Sequence, residues 1–313
     1  MNIVVTGSVA YDYLMSFPGK FTEHFLADHL QKISLSFLVE TMDKRRGGCA
    51  PNIAYTLALL GERPRLLAAA GQDFGEYRAW LDAAGIETSL VLVVQDKFTA
   101  SFFCSTDEEN NQIASFYNGA MSHAGELSFR TVGPVDLAIL SPNDPGAMVQ
   151  YAEECRTLGI PYIFDPGQQC PRLSGDDMRD GITGARLVIC NDYEFELIRQ
   201  KTGWGEDDVL REAETLVVTR GEDGSSLYER GRRADVAAVR PHRIADPTGV
   251  GDAYRGAFIR GIAAGLPYEA CARMGAVAAT YCLEHLGPMA HAYTLDEFRA
   301  RHEEHFGVLE LAS

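Results

Sequence analysis

The stretch Asp246-Pro-Thr-Gly-Val-Gly-Asp252, continuing as Ala-Tyr-Arg-Gly-Ala-Phe258, decides how the rest of the chain is read. Glycines at 249 and 251 come just before an apolar run with helical spacing, and Asp252 falls in the first turn of that helix. Small residues at a helix start let backbone N–H groups converge on an anion, and the helix dipole adds partial positive charge there. A carboxylate beside such an anion hole contributes nothing to binding phosphate alone. It has a purpose if it accepts a proton from a hydroxyl while the hole stabilises a phosphoryl group in transfer. Asp252, with the N–H groups of Gly249, Val250 and Gly251, is therefore the candidate catalytic set.

Upstream of this motif, apolar patterning predicts strands at 3–9, 13–17, 32–39, 65–70, 88–94, 99–105 and 112–117, with helices at 50–60 and 76–84. From residue 136 the rhythm changes. Strands at 137–140, 162–164 and 187–190 alternate with helices at 147–157, 176–182 and 193–201, and strands at 216–219 and 226–229 continue the series. Helices near 250–264, 267–284 and 294–305 complete the chain. Strand–helix alternation with short loops signals an α/β fold: a mostly parallel sheet flanked by helices. The early strands do not fit that alternation. Segments of about 13–39 and 98–118 are expected to form a small β-sheet lid, discontinuous in sequence, on a single domain spanning 1–313.

The chain has 313 residues, 46% of them hydrophobic, enough for one large domain. A net charge of −16 argues against nucleic acid or an anionic membrane as partner. It leaves room for a nucleotide, which local backbone donors can hold. Met1-Asn2 leads straight into Ile3-Val4-Val5, so no signal peptide is expected, and no apolar run is long enough to span a bilayer. The seven cysteines contain no CxxC pair and read as reduced thiols of a cytoplasmic protein. His302-Glu-Glu-His305 lacks the HExxH spacing and reads as a solvated helix face.

Four further features carry chemistry. Gly47-Gly48-Cys49-Ala50-Pro51-Asn52 lets the backbone approach a ligand, with Asn52 at a helix start to meet its hydroxyls; Gly-Gly is also a plain turn. Asp12, read as the end of the first strand, can accept two hydrogen bonds from a vicinal diol, or cap a turn. Asn191-Asp-Tyr-Glu194 can hold Mg²⁺ directly or through water, and the same spacing is a capping box. Thr219-Arg-Gly-Glu-Asp-Gly224 can cradle phosphates or serve as a hairpin loop. Phe102, Phe103, Phe116 and Tyr117 lie on candidate lid strands, where alternation turns one of each pair toward a ligand and the other into packing.

In their order along the chain these features resemble the ribokinase-like (PfkB) sugar and nucleoside kinases. The glycine pair with Asn52 matches the N-terminal signature of that family. Residues 246–258 match the C-terminal one, with Val250 where alanine is usual. Val5-Thr-Gly-Ser-Val-Ala-Tyr-Asp12, Lys32-Ile-Ser-Leu-Ser-Phe-Leu38, Gln112-Ile-Ala-Ser-Phe-Tyr117 and Asp165-Pro-Gly-Gln-Gln169 are similar to bacterial adenosine kinases within it. Gly167 departs from a usual serine, and Cys49 and Pro51 vary the glycine-pair loop.

The resemblance implies ATP-dependent phosphorylation of the adenosine 5′-hydroxyl in purine salvage. Ser8, Asp12, Ser36, Gly48 and Asn52 would line the nucleoside pocket, Phe102 and Phe116 would sandwich the base, and Gln168 and Gln169 would reach toward it. Asn191, Thr219, Gly221 and Gly224 would meet ATP; Asn191 and Glu194 would order Mg²⁺; a monovalent cation such as K⁺ would sit near Asp246. A sugar kinase of ribokinase or fructokinase type, and a catalytically silent nucleoside sensor, are the alternatives. Unpaired lid-strand edges suggest a homodimer through the lid.

Overall fold

The computed structural model describes residues 1–25, 35–309 and 311. The first half comprises β1 (Ile3–Thr6), β2 (Ala10–Ser16), β3 (Thr41–Gly47), α1 (Cys49–Leu59), β4 (Arg65–Leu67) and β5 (Ala69–Gly71). α2 (Gly75–Ala83), β6 (Leu92–Val94), β7 (Ala100–Thr106), β8 (Gln112–Tyr117) and β9 (Leu137–Leu140) follow. Next come α3 (Pro145–Leu158), β10 (Tyr162–Phe164), α4 (Gly175–Ile182), β11 (Leu187–Asn191), α5 (Asp192–Thr202) and α6 (Glu206–Glu212). The chain closes with β12 (Thr215–Thr219), β13 (Ser225–Glu229), β14 (Arg232–Val236), α7 (Val250–Ala263), α8 (Tyr268–Leu283) and α9 (Leu295–Phe306).

The main sheet has eight strands in the order β14-β13-β12-β11-β10-β9-β1-β4. It is parallel from β4 to β12 and antiparallel across β12, β13 and β14. Its inner parallel strands β1, β9, β10, β11 and β12 are largely apolar on both faces because both are covered. Ile3, Val5, Ile139, Ile163, Ile189 and Val217 pack on one side with Ile53, Leu57, Phe258 and Ile262 of α1 and α7. The intervening residues Val4, Ala138, Leu140, Phe164, Val188 and Val218 pack on the other with Met148, Tyr151, Ile182 and Ile198 of α3, α4 and α5. That partition follows the two-residue alternation of a strand. β1 lies between β9 and β4, so the chain's crossovers reverse direction at β1. Open α/β sheets bind ligands beyond the carboxyl ends of the strands at such a point.

Beyond those ends stands a second, four-stranded sheet, β3-β2-β7-β8. β2 and β7 are parallel within it, and β3 and β8 pair antiparallel on its two sides. β5 and β6 form a separate parallel pair.

Several boundaries differ from the sequence reading. The first strand stops at Thr6, and Asp12 lies inside β2 of the small sheet rather than at the end of β1. The strand expected at 32–39 is not found in its described part, residues 35–39; residues 32–34 lie outside the described residues. The strand is instead Thr41–Gly47, whose Asp43-Lys44-Arg45-Arg46 reads as loop. An edge strand tolerates such charge, and the charged strand β14 went unread for the same reason. The apolar run 65–70 divides between β4 and β5, which belong to different sheets, and only Leu92–Val94 of the run 88–94 is strand. The short acidic helix α6 was not anticipated. Residues 219–224 close an antiparallel hairpin, so the parallel series ends at β12. His302 is 3% exposed, against the solvated face expected, because its ring turns inward to the Gly307 carbonyl.

Candidate active site

Gly249 caps the start of α7 in the left-handed region, φ 78°. A Cβ there would fall 2.3 Å from Cβ of Pro288, so both the dihedral and the space require glycine. Two turns on, Gly256 lets α7 approach α1, since a Cβ would lie 2.7 Å from the Ile53 carbonyl oxygen. That close approach brings residues 200 positions apart together: Asn52 Nδ2 donates to Asp252 Oδ2 at 2.8 Å. The Asn52 Oδ1 atom is buried without a partner among the described residues, an acceptor that a ligand hydroxyl would satisfy.

Behind Asp252 lies a buried ion pair. Arg255, one helical turn along α7, donates from Nη2 to Asp165 Oδ1 at 2.7 Å, with Nε 2.5 Å from Oδ2. Its Nη1 donates to the Gly251 carbonyl at 3.0 Å, and Nη2 stands 4.0 Å from Glu194 Oε2. Burial pushes the Asp252 carboxyl up to about 6, with the Arg255 charge and the Asn52 hydrogen bond pulling against it. Burial likewise raises Asp12 to about 6, opposed by Arg45 and reinforced by Asp246. The carboxylates around Arg255 hold its charge more firmly than usual.

Two cavities meet at Asp252. The larger, about 830 Å³, is lined by Asn191, Glu194, Thr219, Gly221, Gly224, Val250 and Gly251 among others. The smaller, about 480 Å³, is lined by Ser8, Asp12, Gly48, Asn52, Phe102, Phe116, Gln168 and Gln169, together with Arg172. Cys49, Pro142, Gln168, Gly249 and Asp252 border both. Ser8, Asp165, Asn191 and Thr219 all lie at or just past the carboxyl ends of parallel strands, as the topology requires. Phe102 and Phe116 are direct cross-strand partners on β7 and β8, and neither ring stacks on another among the described residues. Phe103 and Tyr117, expected to pack inward or at an interface, face away and are 40% and 43% exposed; Phe103 stacks on Tyr13.

Two expected residues stand elsewhere. Ser36 is exposed and borders neither cavity, because it precedes the strand that enters the small sheet. Asp246 also borders neither cavity; its carboxylate accepts from Arg45, Thr248 N and Gly287 N.

Three features were missed in the sequence. An arginine in the apolar run of α7 must be paired if that face is buried, which pointed to Arg255 and a carboxylate partner. Asp165, quoted above without a role, is that partner. The apolar wall of the larger cavity, including Val239, Ile244, Ala276 and Leu283, comes partly from the irregular segment 237–249 and so had no periodic signal.

Asn191 and Glu194 form a complete capping box: Asn191 Oδ1 accepts from Glu194 N at 2.7 Å, and Glu194 Oε2 accepts from Asn191 N at 2.8 Å. No group of three or more His, Cys, Asp or Glu side chains suited to a metal occurs among the described residues. Glu194 lines the larger cavity together with Asp192, Glu222 and Asp252, and Mg²⁺ is commonly bound through one or two carboxylates, waters and substrate phosphates.

The family described as pfkB family carbohydrate kinase matches residues 5–294. The nucleoside kinase of Burkholderia thailandensis, solved with inosine, is 39% identical, with a TM-score of 0.87 over 97% of this chain and 98% of that one. The same protein solved with ADP and inosine gives 39% identity and a TM-score of 0.86 over 99% and 98%. The nucleoside kinase of Methanocaldococcus jannaschii is 29% identical over 97% of both chains.

Proposed function

The chain belongs to the pfkB family of carbohydrate kinases, phosphotransferases with a hydroxyl acceptor, and on that premise we propose that it moves the γ-phosphoryl group of ATP to the 5′-hydroxyl of adenosine. The observation that carries this reading is the position of Asp252 and its glycine loop at the border of two adjoining cavities. One cavity suits a nucleoside and the other a nucleotide. Complexes of the similar Burkholderia enzyme with inosine, and with ADP and inosine, support that pairing of ligands.

In this reading Asp12 and Asn52 hold the ribose hydroxyls and leave the 5′-hydroxyl facing Asp252. Phe102 and Phe116 clasp the base, with Gln168 and Gln169 at its edge. Asp252, oriented by Asn52, takes the hydroxyl proton as oxygen attacks. The N–H groups of residues 249–252 receive the charge that develops on the transferring phosphoryl. Residues 219–224 border the phosphates, and Asn191 and Glu194 would hold Mg²⁺ through water; the ion supplies charge neutralisation at the phosphates. Phosphoryl transfer depends mainly on alignment and electrostatic stabilisation, which this set provides. The preference for a nucleoside over a bare sugar rests on the unstacked rings of Phe102 and Phe116, since a bare sugar has no π-face; the choice of adenosine follows the resemblance to bacterial adenosine kinases.

The all-exposed edge strand β8 supports a homodimer formed through the small sheet. Seven free, buried thiols support a reducing, cytoplasmic setting. No helix among the described residues is long and apolar enough to cross a membrane.

The test is coupled ADP release with adenosine, inosine, ribose and fructose at equal concentration. Adenosine is expected to give the highest kcat/KM. A higher value for ribose or fructose would overturn the nucleoside reading, and a higher value for inosine would overturn the adenosine preference alone.

A further inference from the structure

Asp246 opens the glycine loop, and its carboxylate is where the family resemblance suggested a monovalent cation. The residues present do not suit one. Oδ2 accepts from Arg45 Nη1 at 3.1 Å and from Gly287 N at 3.0 Å, and Oδ1 accepts from Thr248 N at 2.9 Å. A carboxylate offers roughly four acceptor positions, so most are taken. A free cation coordinated to the same oxygens would also lie within a few ångströms of the guanidinium, where like charges repel. Arg45 is three-quarters covered and Asp246 more so, at 26% and 13% side-chain exposure, which weakens screening by solvent.

We propose that Arg45 is a built-in cation, its guanidinium doing at Asp246 what a free monovalent ion would otherwise do, so that catalysis has no K⁺ requirement. The inference rests on the phosphotransfer reading of the loop. The charge comes from β3 of the small sheet, where Arg45 pairs in register with Asp12. One side chain thus connects the sheet over the smaller cavity to the loop whose N–H groups form the anion hole. It also faces the half-buried Asp12 carboxylate, which it stabilises in the ionised form. Arg45 holds the loop carboxylate through one directional hydrogen bond from Nη1, while Nη2 donates to Asp43 Oδ2 at 3.3 Å; a spherical ion makes no such directed contact.

The experiment compares KCl, NaCl and choline chloride at constant ionic strength, using the full chain, saturating nucleoside and Mg–ATP. The unsubstituted protein is expected to show the same kcat in all three salts. Arg45→Met should lower kcat about tenfold in choline chloride, in line with loss of one charge-assisted hydrogen bond, and KCl should restore most of it. Arg45→Lys should keep activity independent of K⁺. In parallel, thermal unfolding without substrates should show a K⁺-specific rise in Tm for Arg45→Met and none for the unsubstituted protein. Strong K⁺ activation of the unsubstituted enzyme would overturn the proposal, as would an Arg45→Met loss that K⁺ does not repair, or full activity of that variant in choline. If no nucleoside or sugar is phosphorylated at all, the kinase reading fails while the Tm comparison still decides the cation question. If Arg45→Met does not fold, the salt response of the unsubstituted protein and of Arg45→Lys decides it.

Discussion

At the residue scale, Asp252 is ionisable in a place that resists its charge, and function and stability therefore pull apart. Asp252→Asn should reduce kcat by several orders of magnitude while nucleoside binding, measured by calorimetry, is largely kept; near-normal turnover would remove Asp252 as the base. The folded carboxyl takes up its proton near 6, the unfolded one near ~4. Between those values the folded state binds the extra proton, so acidification stabilises it, and raising the pH through 6 removes that stabilisation. Asp252→Asn should accordingly be more stable than the unsubstituted protein at neutral pH, by about 1–3 kcal/mol, an advantage that disappears in denaturation curves below pH ~4. Catalysis has the opposite dependence. In the proposed mechanism Asp12 and Asp252 both act in the ionised form, so kcat/KM should fall below pH about 6, with a slope approaching two in a log plot. A flat profile down to pH ~5 would contradict it. The motif made Asp252 legible in the chain, but its raised pKa comes from burial, with Glu194 adding to it and Arg255 and Asn52 opposing it, a balance that only folding assembles.

At the element scale, α7 joins the chemistry to the core. Arg255 and Asp165 are 8% and 1% exposed at the side chain, and removing one partner leaves an uncompensated buried charge. Arg255→Met should cost about 3–5 kcal/mol in chemical denaturation. It should also move the acid limb of the pH–rate profile upward, because Arg255 pulls the Asp252 carboxyl down. A stability loss with an unmoved limb would confine Arg255 to a structural role. The small sheet presents Phe116 to the smaller cavity. Phe116→Ala should weaken adenosine binding by about tenfold to a hundredfold and ribose far less, from the typical value of a base–aromatic stack. Equal losses for both ligands would argue against stacking. The strands β7 and β8 were legible from alternation, whereas β3 was not, because its four consecutive charged residues are stable only as an edge paired to β2.

At the scale of the whole molecule, both outer strands of the small sheet, β3 and β8, have an edge that is unpaired among the described residues. All six residues of β8 are exposed, among them Ile113, Phe116 and Tyr117. Covering that edge with a second copy would satisfy its backbone groups and remove apolar surface from water. Solution mass by light scattering should report a dimer, and Ile113→Lys should shift it toward monomer; a monomeric unsubstituted protein would refute the arrangement. The sequence by itself determined the alternating strands and helices, the glycine loop with its carboxylate, and the aromatic residues of the lid, since each is written in local spacing and side-chain chemistry. Only the tertiary structure decided that Asn52 orients Asp252, that Arg255 neutralises Asp165, that Arg45 reaches Asp246, and that Ser36 stands away from the cavities. Those pairings join residues tens to hundreds of positions apart. Their geometry comes from how α1, α7 and the two sheets pack, and no local pattern encodes it.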